Sequence, residues 1–104
     1  MIDHHVLFRL RRPADAAARE RFLTALDGFA ADPPHAAGPG TVAADLGLLG
    51  DHPRAGDATV TIPFADEAAL AAYMADPRHR SFVDTTVAPV CEGWWAVQSR
   101  RNQE

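Results

Sequence analysis

Hydrophobic and polar residues follow two different periods along this chain, one of two residues and one of about three and a half. Near the N-terminus, the even-numbered residues from His4 to Leu10 form a dry side, while the odd-numbered residues mix leucine with histidine and arginine. Such alternation predicts a half-buried β-strand whose drier side faces the interior. The same period recurs at Val60, Ile62 and Phe64, which predicts another strand of this kind.

Longer stretches carry apolar residues at helical spacing. In an alanine-rich segment, one stripe runs from Ala18 through Phe22 and Leu26 to Phe29. Pro13 precedes this segment and suits the first turn of a helix. The pattern therefore predicts an amphipathic helix with one face turned toward the core.

A second helix is predicted in the C-terminal half of the chain. Asp66 is a favourable N-cap, and Leu70, Tyr73 and Met74 share one face at helical spacing. Pro77 is expected to end this helix, because proline cannot continue the backbone hydrogen-bond pattern.

The predicted elements follow an order that indicates a fold class. They are a strand over 4–11, a helix over 14–31, strands over 41–49 and 57–64, a helix that ends before Pro77, a helix over 80–88, a stop at Gly93 and a strand over 94–98. The order strand, helix, strand, strand, helix, strand is the ferredoxin-like α+β pattern, with an antiparallel sheet and the helices on one face. We expect one domain over 1–104, and a homodimer that packs the bare sheet faces together.

Composition and charge exclude several partners. The chain of 104 residues has a formal net charge of −4, which disfavours nucleic acid as a partner because phosphate binding needs a basic surface. Cys91 is the one cysteine, so no internal disulfide can form and a cytoplasmic location is expected. The N-terminus does not resemble a signal peptide, and no apolar stretch is long enough to span a membrane.

The residues from Tyr73 to Phe82 carry the candidate chemistry. Tyr73 and His79 lie on either side of the break at Pro77, so a helix end brings two proton-handling groups together. A histidine accepts a proton near neutral pH, and a tyrosine hydroxyl can stabilise a developing enolate oxygen. By strand parity His4 faces the helices and could bind a substrate carbonyl.

A purely structural interpretation of the same residues stays open. His79 could cap the broken helix, and Tyr73 could be a core aromatic residue. Trp94 and Trp95 should split between the two sheet faces, since neighbours on a strand point to opposite sides. No cofactor is implied and no metal site is predicted, because His4 and His5 also point to opposite faces.

The opening "IDHHVLFRLR" and the stretch "VTIPFADEAALAAYMADPRHRSFVDTTVAPV" together resemble the Dabb family, the stress-responsive α/β-barrel domain. The family positions are Phe64, Tyr73, Pro77, His79 and Phe82, in the form of a tyrosine on a helix, then Pro-x-His, then a phenylalanine. The resemblance implies a dimeric α/β barrel made of two ferredoxin-like subunits.

The resemblance also implies a catalytic set. The spacing is similar to that of the olivetolic acid cyclase type of plant polyketide cyclase, which implies catalysis by His4, Tyr73 and His79 in an aldol cyclisation without a cofactor. An apolar pocket between sheet and helices would bind a small apolar or aromatic ligand, and the residues expected to contact it are Val6, Phe8, Phe22, Val60, Phe82 and Trp95.

Two further functions remain open, a non-catalytic stress-related dimer and a cofactor-free monooxygenase. An open cavity that both His4 and His79 reach, with Tyr73 close to His79, would favour the enzyme. A filled cavity, or histidines on different surfaces, would exclude it.

Overall fold

Four antiparallel strands form one sheet in the computed structural model, which describes residues 1–101. The strands are β1 (Ile2–Leu10), β2 (Thr41–Ala44), β3 (Ala58–Phe64) and β4 (Cys91–Arg100). Their order across the sheet is β2-β3-β1-β4, so the first strand lies in the middle, paired with β3 on one side and β4 on the other.

Three helices connect the strands and lie on one face of the sheet. They are α1 (Ala16–Ala30), α2 (Glu67–Ala75) and α3 (Pro77–Phe82), and α3 continues into one π-helical turn at Val83–Val87. The predicted ferredoxin-like α+β fold is thereby confirmed. No helix within residues 1–101 is long and apolar enough to cross a membrane.

Aspartate side chains begin all three helices. Asp15 accepts a hydrogen bond from the Ala18 N–H, and Asp66 accepts one from the Ala69 N–H, each satisfying a donor that the first turn leaves free. The N-cap at Asp66 is as predicted. Pro13 is not in the first turn of α1, because Asp15 takes the capping position and the helix starts at Ala16.

The core lies between the sheet and the helices and confirms the predicted parity of the strands. The buried residues of β3 are Ala58, Val60, Ile62 and Phe64. Phe22 and Leu26 of α1 pack against them, and Leu26 is fully buried. Alternation in the strands and the stripe in α1 therefore point to the same interior.

Other boundaries differ from the predictions. Strand β2 ends at Ala44 rather than Leu49, because the chain leaves the sheet at Asp45 and glycines with positive φ turn it at Gly47 and Gly50. Helix α3 starts at Pro77 itself, since proline fits the first turn of a helix.

Gly93 is not a helix stop, because it lies inside β4. A Cβ atom at this position would lie 2.7 Å from the indole ring of Trp95. The glycine thus leaves room for that ring on the strand. The predicted polar tail over 100–104 is described only in part: Arg100 ends β4, Arg101 pairs with Asp3, and 102–104 lie outside the described residues.

The second face of the sheet carries exposed apolar side chains. Leu7, Trp95 and Val97 are 39%, 57% and 60% exposed, and Leu7 pairs directly with Trp95 across β1 and β4. We call these three residues the open-face patch. Within the described residues no helix covers it, in contrast to the helix-covered side.

Candidate active site

A cavity of about 280 Å³ lies between the sheet and the helices. Its walls are almost entirely apolar, and its polar side chains are His4, Tyr73 and His79. Met74 and Trp94 line it as well, and because they are 44% and 40% exposed, the cavity reaches solvent beside them.

His4 lies on the central strand β1 and points toward the helices, as strand parity predicts. Only 3% of its surface is exposed. Its Nδ1 atom lies 3.0 Å from the Nε2 amide nitrogen of Gln98 on β4, where the register of the sheet places the two residues opposite each other. Phe64 and Tyr73 pack edge-on against the imidazole, so the ring is held on several sides.

Tyr73 and His79 come together at the junction of α2 and α3. Asp76 ends α2 and also begins α3, where its carboxylate accepts a hydrogen bond from the Arg78 N–H at 2.8 Å. The reversal at Asp76 and Pro77 brings the His79 ring to 4.4 Å from the Tyr73 ring, measured between centroids. The side chain of Asp76 caps the start of α3. His79 hydrogen-bonds the backbone of Met74 in the last turn of α2, so the histidine also contacts the helix end, as the structural interpretation expects.

Burial shifts the pKa of all three groups. It lowers the pKa of His4 to about 4, with the nearby charges of His79 and His5 acting in the same direction. Burial also lowers the pKa of His79, although hydrogen bonding to the backbone of Met74 opposes the shift. The pKa of Tyr73 is raised by burial. At neutral pH the site therefore holds two neutral imidazoles and a protonated phenol.

One atom of this group is unsatisfied. The Nδ1 atom of His79 is buried and has no hydrogen-bond partner within residues 1–101. Native proteins pair nearly all such atoms. An unpaired ring nitrogen at the wall of a cavity therefore indicates that a ligand group or water completes the site.

Most of the residues predicted to contact a ligand do line the cavity. They are Val6, Phe8, Val60 and Phe82, in addition to the three polar residues. Phe22 does not line it, because its side chain lines a separate depression with Pro13 and Ala14, and its ring packs edge-on against Phe8. Trp95 does not line it either, because the pairing of Phe8 with Trp94 puts Trp94 on the helix side and turns Trp95 to the open face.

Sequence reasoning missed two parts of the site. Phe29 of α1 stacks on Phe82 of α3, with ring centroids 4.2 Å apart and planes 12° from parallel, and together they form one wall. The helical stripe identified Phe29 only as a core residue. The sequence pattern predicts Gln98 only as the last residue of a strand, although its parity with Trp94 and Ala96 on β4 places it on the same side.

The described residues offer no site for a metal. No group of three histidine, cysteine, aspartate or glutamate side chains lies together within residues 1–101. His5 lies on the opposite face from His4, where its two ring nitrogens contact the hydroxyls of Thr61 and Ser99 at 3.1 Å each. It therefore cannot join His4 and His79 around one ion.

Comparisons with known proteins agree with this architecture. The family model described as "Stress responsive A/B Barrel Domain" matches residues 2–100. No curated protein sequence matches the chain at a significant level.

Solved structures of the same fold come from several organisms. A dimeric ferredoxin-like protein of unknown function from Thermobifida fusca is 29% identical, with a TM-score of 0.75 over 96% of this chain and 90% of that one. A Dabb family protein from Mesorhizobium loti is 21% identical, with a TM-score of 0.76 over 96% and 95%. The hydroxynitrile lyase of Passiflora edulis is 16% identical, with a TM-score of 0.74 over 99% and 94%. The last two are similar in fold alone.

Proposed function

This chain belongs to the stress-responsive A/B barrel domain family, and from that premise we propose that it is a cofactor-independent enzyme of the polyketide-cyclase type. Its reaction is an aldol-type cyclisation of a small apolar or aromatic carbonyl compound. His79 is the base, Tyr73 the orienting hydrogen-bond donor, and His4 the donor to the substrate carbonyl.

The observation that carries this proposal is the convergence of three polar groups at one cavity. His4 comes from a strand, Tyr73 from α2 and His79 from α3, yet all three line the same apolar space. The distances between ring centroids are 5.7 Å from His4 to Tyr73 and 4.4 Å from Tyr73 to His79. A concave apolar site with a few convergent polar groups is the usual form of a small-molecule site.

The protonation states suit proton transfer. His79 is neutral at pH 7 because burial lowers its pKa, so the imidazole is free to accept a proton. Tyr73 is protonated at pH 7, and burial raises its pKa further, so its hydroxyl can donate to an oxygen that gains negative charge.

The reaction then needs no oxidant or metal. His79 removes a proton from the carbon next to the substrate carbonyl, and the electron pair moves to the carbonyl oxygen as an enolate, which His4 and Tyr73 stabilise. The enolate carbon attacks a second carbonyl of the same molecule, forming the carbon–carbon bond. The resulting alkoxide takes the proton back from His79, so charge and electrons balance.

The lining of the cavity indicates the class of substrate. No lysine, arginine, aspartate or glutamate is among the residues that line it, and both imidazoles are neutral at pH 7. A carboxylate would have no cation to pair with in this apolar space, and burying an unpaired charge is costly. We therefore infer that the reacting end of the substrate is an uncharged, enolisable carbonyl group, and that Phe29 and Phe82 contact its apolar part.

Related structures support the proposal at the level of the fold. The Passiflora edulis protein is a hydroxynitrile lyase, so this fold supports lyase chemistry in at least one protein. Several other neighbours are described as dimeric, and we propose a homodimer here as well, joined through the open-face patch.

A half-reaction tests the proposal without knowledge of the natural substrate. Neutral aryl methyl ketones are incubated with the protein in D₂O, and exchange of the protons next to the carbonyl is followed by ¹H NMR. We expect exchange above the buffer rate, and its loss by about 100-fold or more in His79→Ala, since general-base catalysis contributes about that much.

The matched control is His52→Ala, because His52 lies in an exposed loop and does not line the cavity. Its exchange rate should equal that of the native protein. Undiminished exchange in His79→Ala, with the fold intact by circular dichroism, would eliminate His79 as the base. No exchange and no thermal shift with any ketone would favour the non-catalytic dimer.

A further inference from the structure

We propose that Gln98 is a positioning residue for His4. Its side-chain amide holds the neutral imidazole in the tautomer that carries its proton on Nε2. In this tautomer His4 donates a hydrogen bond to the substrate and does not compete with His79 as a base. This inference rests on the proposed function for its chemical purpose. Its geometric basis is independent of any reaction.

The sheet itself brings the two side chains together. His4 and Gln98 are directly paired in the antiparallel register of β1 and β4, and side chains opposite each other in a sheet lie on the same face. The amide nitrogen of Gln98 is 3.0 Å from Nδ1 of His4. An amide N–H₂ group can only donate, so Nδ1 must accept and cannot carry a proton.

The consequence for His4 follows from imidazole chemistry. A neutral imidazole has one N–H and one lone pair, so an acceptor at Nδ1 requires a donor at Nε2. His4 lines the cavity, and in this tautomer the ring offers an N–H to a substrate oxygen. The hydrogen bond that Nδ1 accepts from Gln98 thereby makes Nε2 a hydrogen-bond donor.

Gln98 acts through His4 and not on the substrate. It is absent from the walls of the cavity and lines a separate surface depression with Ile2, Glu67 and Arg100. In that depression Arg100 and Glu67 pair with each other at 2.9 Å. A substitution of Gln98 therefore leaves the shape of the cavity unchanged.

The neighbouring His5 shows the opposite case, a ring whose tautomer is not fixed by its partners. Both nitrogens of His5 contact hydroxyls, those of Thr61 and Ser99. A hydroxyl can donate or accept, so neither contact selects a tautomer. Of the two adjacent histidines, His4 is the one whose partner, Gln98, defines where the proton lies.

The test reads the tautomer directly. Uniformly ¹⁵N-labelled protein is examined at pH 7 by long-range ¹H–¹⁵N correlation of the histidine rings, with the His4 signals assigned by their loss in His4→Gln. We expect the native protein to show a protonated Nε2 and an unprotonated Nδ1. A native ring protonated mainly on Nδ1 would overturn the proposal, because the carbonyl oxygen of Gln98 would then be the group that faces it.

Two substitutions of Gln98 sharpen the result. In Gln98→Glu the carboxylate can only accept, so the proton should move to Nδ1 and the pKa of His4 should rise toward its ordinary value. Tyr73 and His79 face the ring from the helices and His5 adjoins it on β1, and these groups are unchanged in the variant. Gln98→Leu should leave Nδ1 without a partner. A spectrum of Gln98→Glu identical to that of the native protein would contradict the proposal.

Kinetic measurements separate this inference from the proposed function. In the ketone exchange assay we expect kcat to fall about tenfold in Gln98→Leu and further in Gln98→Glu, with little change in KM, since a transition-state hydrogen bond of ordinary strength is lost. Ser99→Ala, the next residue on the strand, should leave both the His4 spectrum and kcat unchanged. If the native protein lacks exchange activity but its tautomer shifts as described, the proposed function fails while Gln98 keeps its positioning role.

Discussion

His4 and His5 are neighbours in the chain, yet they belong to two different environments. His4 is 3% exposed, contacts aromatic rings on the helix side, and has its pKa lowered to about 4 by burial. His5 lies on the open face between two hydroxyls. The two residues are of the same type, so the side of the sheet, and not the residue type, determines the burial and the contacts of each imidazole.

The same contrast holds for the two faces as a whole. On the helix side, apolar residues surround a cavity with three polar groups. On the open face, Leu7, Trp95 and Val97 leave apolar surface in contact with water. One face is thus suited to a small molecule, and the other to a flat protein surface.

The largest expected effect on stability comes from the same change, leucine to alanine, made on the two sides of the sheet. Leu26 is fully buried, so Leu26→Ala should lower the free energy of unfolding by about 3 kcal/mol through lost burial and a new cavity. Leu7→Ala on the open face should cost less than about 1 kcal/mol at low protein concentration, because Leu7 is already 39% exposed. Urea denaturation measures both values, and equal losses would contradict the contrast between the faces.

A second effect is the dependence of stability on pH. The pKa of His4 is about 4 in the folded protein against an ordinary value of 6.5. Between pH 6.5 and pH 4 the unfolded chain therefore binds a proton that the folded chain does not, and stability falls as the pH falls, by about 3 kcal/mol. His79, whose pKa is also lowered, acts in the same direction.

Denaturation at pH 7 and at pH 4 measures this difference. In His4→Gln the fall should be smaller, whereas in the control His52→Gln, whose histidine lies in an exposed loop, it should match that of the native protein. An unchanged fall in His4→Gln would show that another group controls acid stability.

A third effect concerns association rather than folding. Val97 is 60% exposed on the open face, so Val97→Asp should change the unfolding free energy of a single chain by less than about 0.5 kcal/mol. The buried carboxylate would nevertheless disrupt packing of two open-face patches, because an unpaired charge in an apolar contact is costly. Sedimentation should then show a dimer for the native chain and a monomer for the variant, and an unaffected dimer would place the contact elsewhere.

The smallest effect belongs to the hydroxyl contacts of His5. Ser99→Ala removes a hydrogen bond to His5 that lies at the exposed surface, where water can replace the lost partner. We expect a change in stability of about 0.5 kcal/mol or less. A loss above about 2 kcal/mol would mean that the open face is buried from water in solution, as in a tight dimer.

Periodicity predicted the elements well where one face is buried and poorly where neither is. Strand β3 alternates cleanly, and its predicted inner residues Val60, Ile62 and Phe64 are buried. The apolar run from Leu46 to Leu49 looked like a strand, but these residues are exposed and the chain turns at Gly47. Apolar composition without a packing partner does not specify a strand.

The sequence alone determined the order of the elements, the inward direction of His4 and the meeting of Tyr73 with His79. Each of these depends on local rules: alternation along a strand, a helical stripe, and a proline that ends a helix. These rules act over a few residues, so they can be read without knowledge of the rest of the chain.

Only the tertiary structure decided which tryptophan lines the cavity and what holds His4. Trp94 faces the cavity and Trp95 does not, because the register of β4 on β1 pairs Trp94 with Phe8. The same register places Gln98 opposite His4, 94 positions away in the chain. Register depends on packing between distant segments, and a shift of one residue would exchange the two faces of the strand.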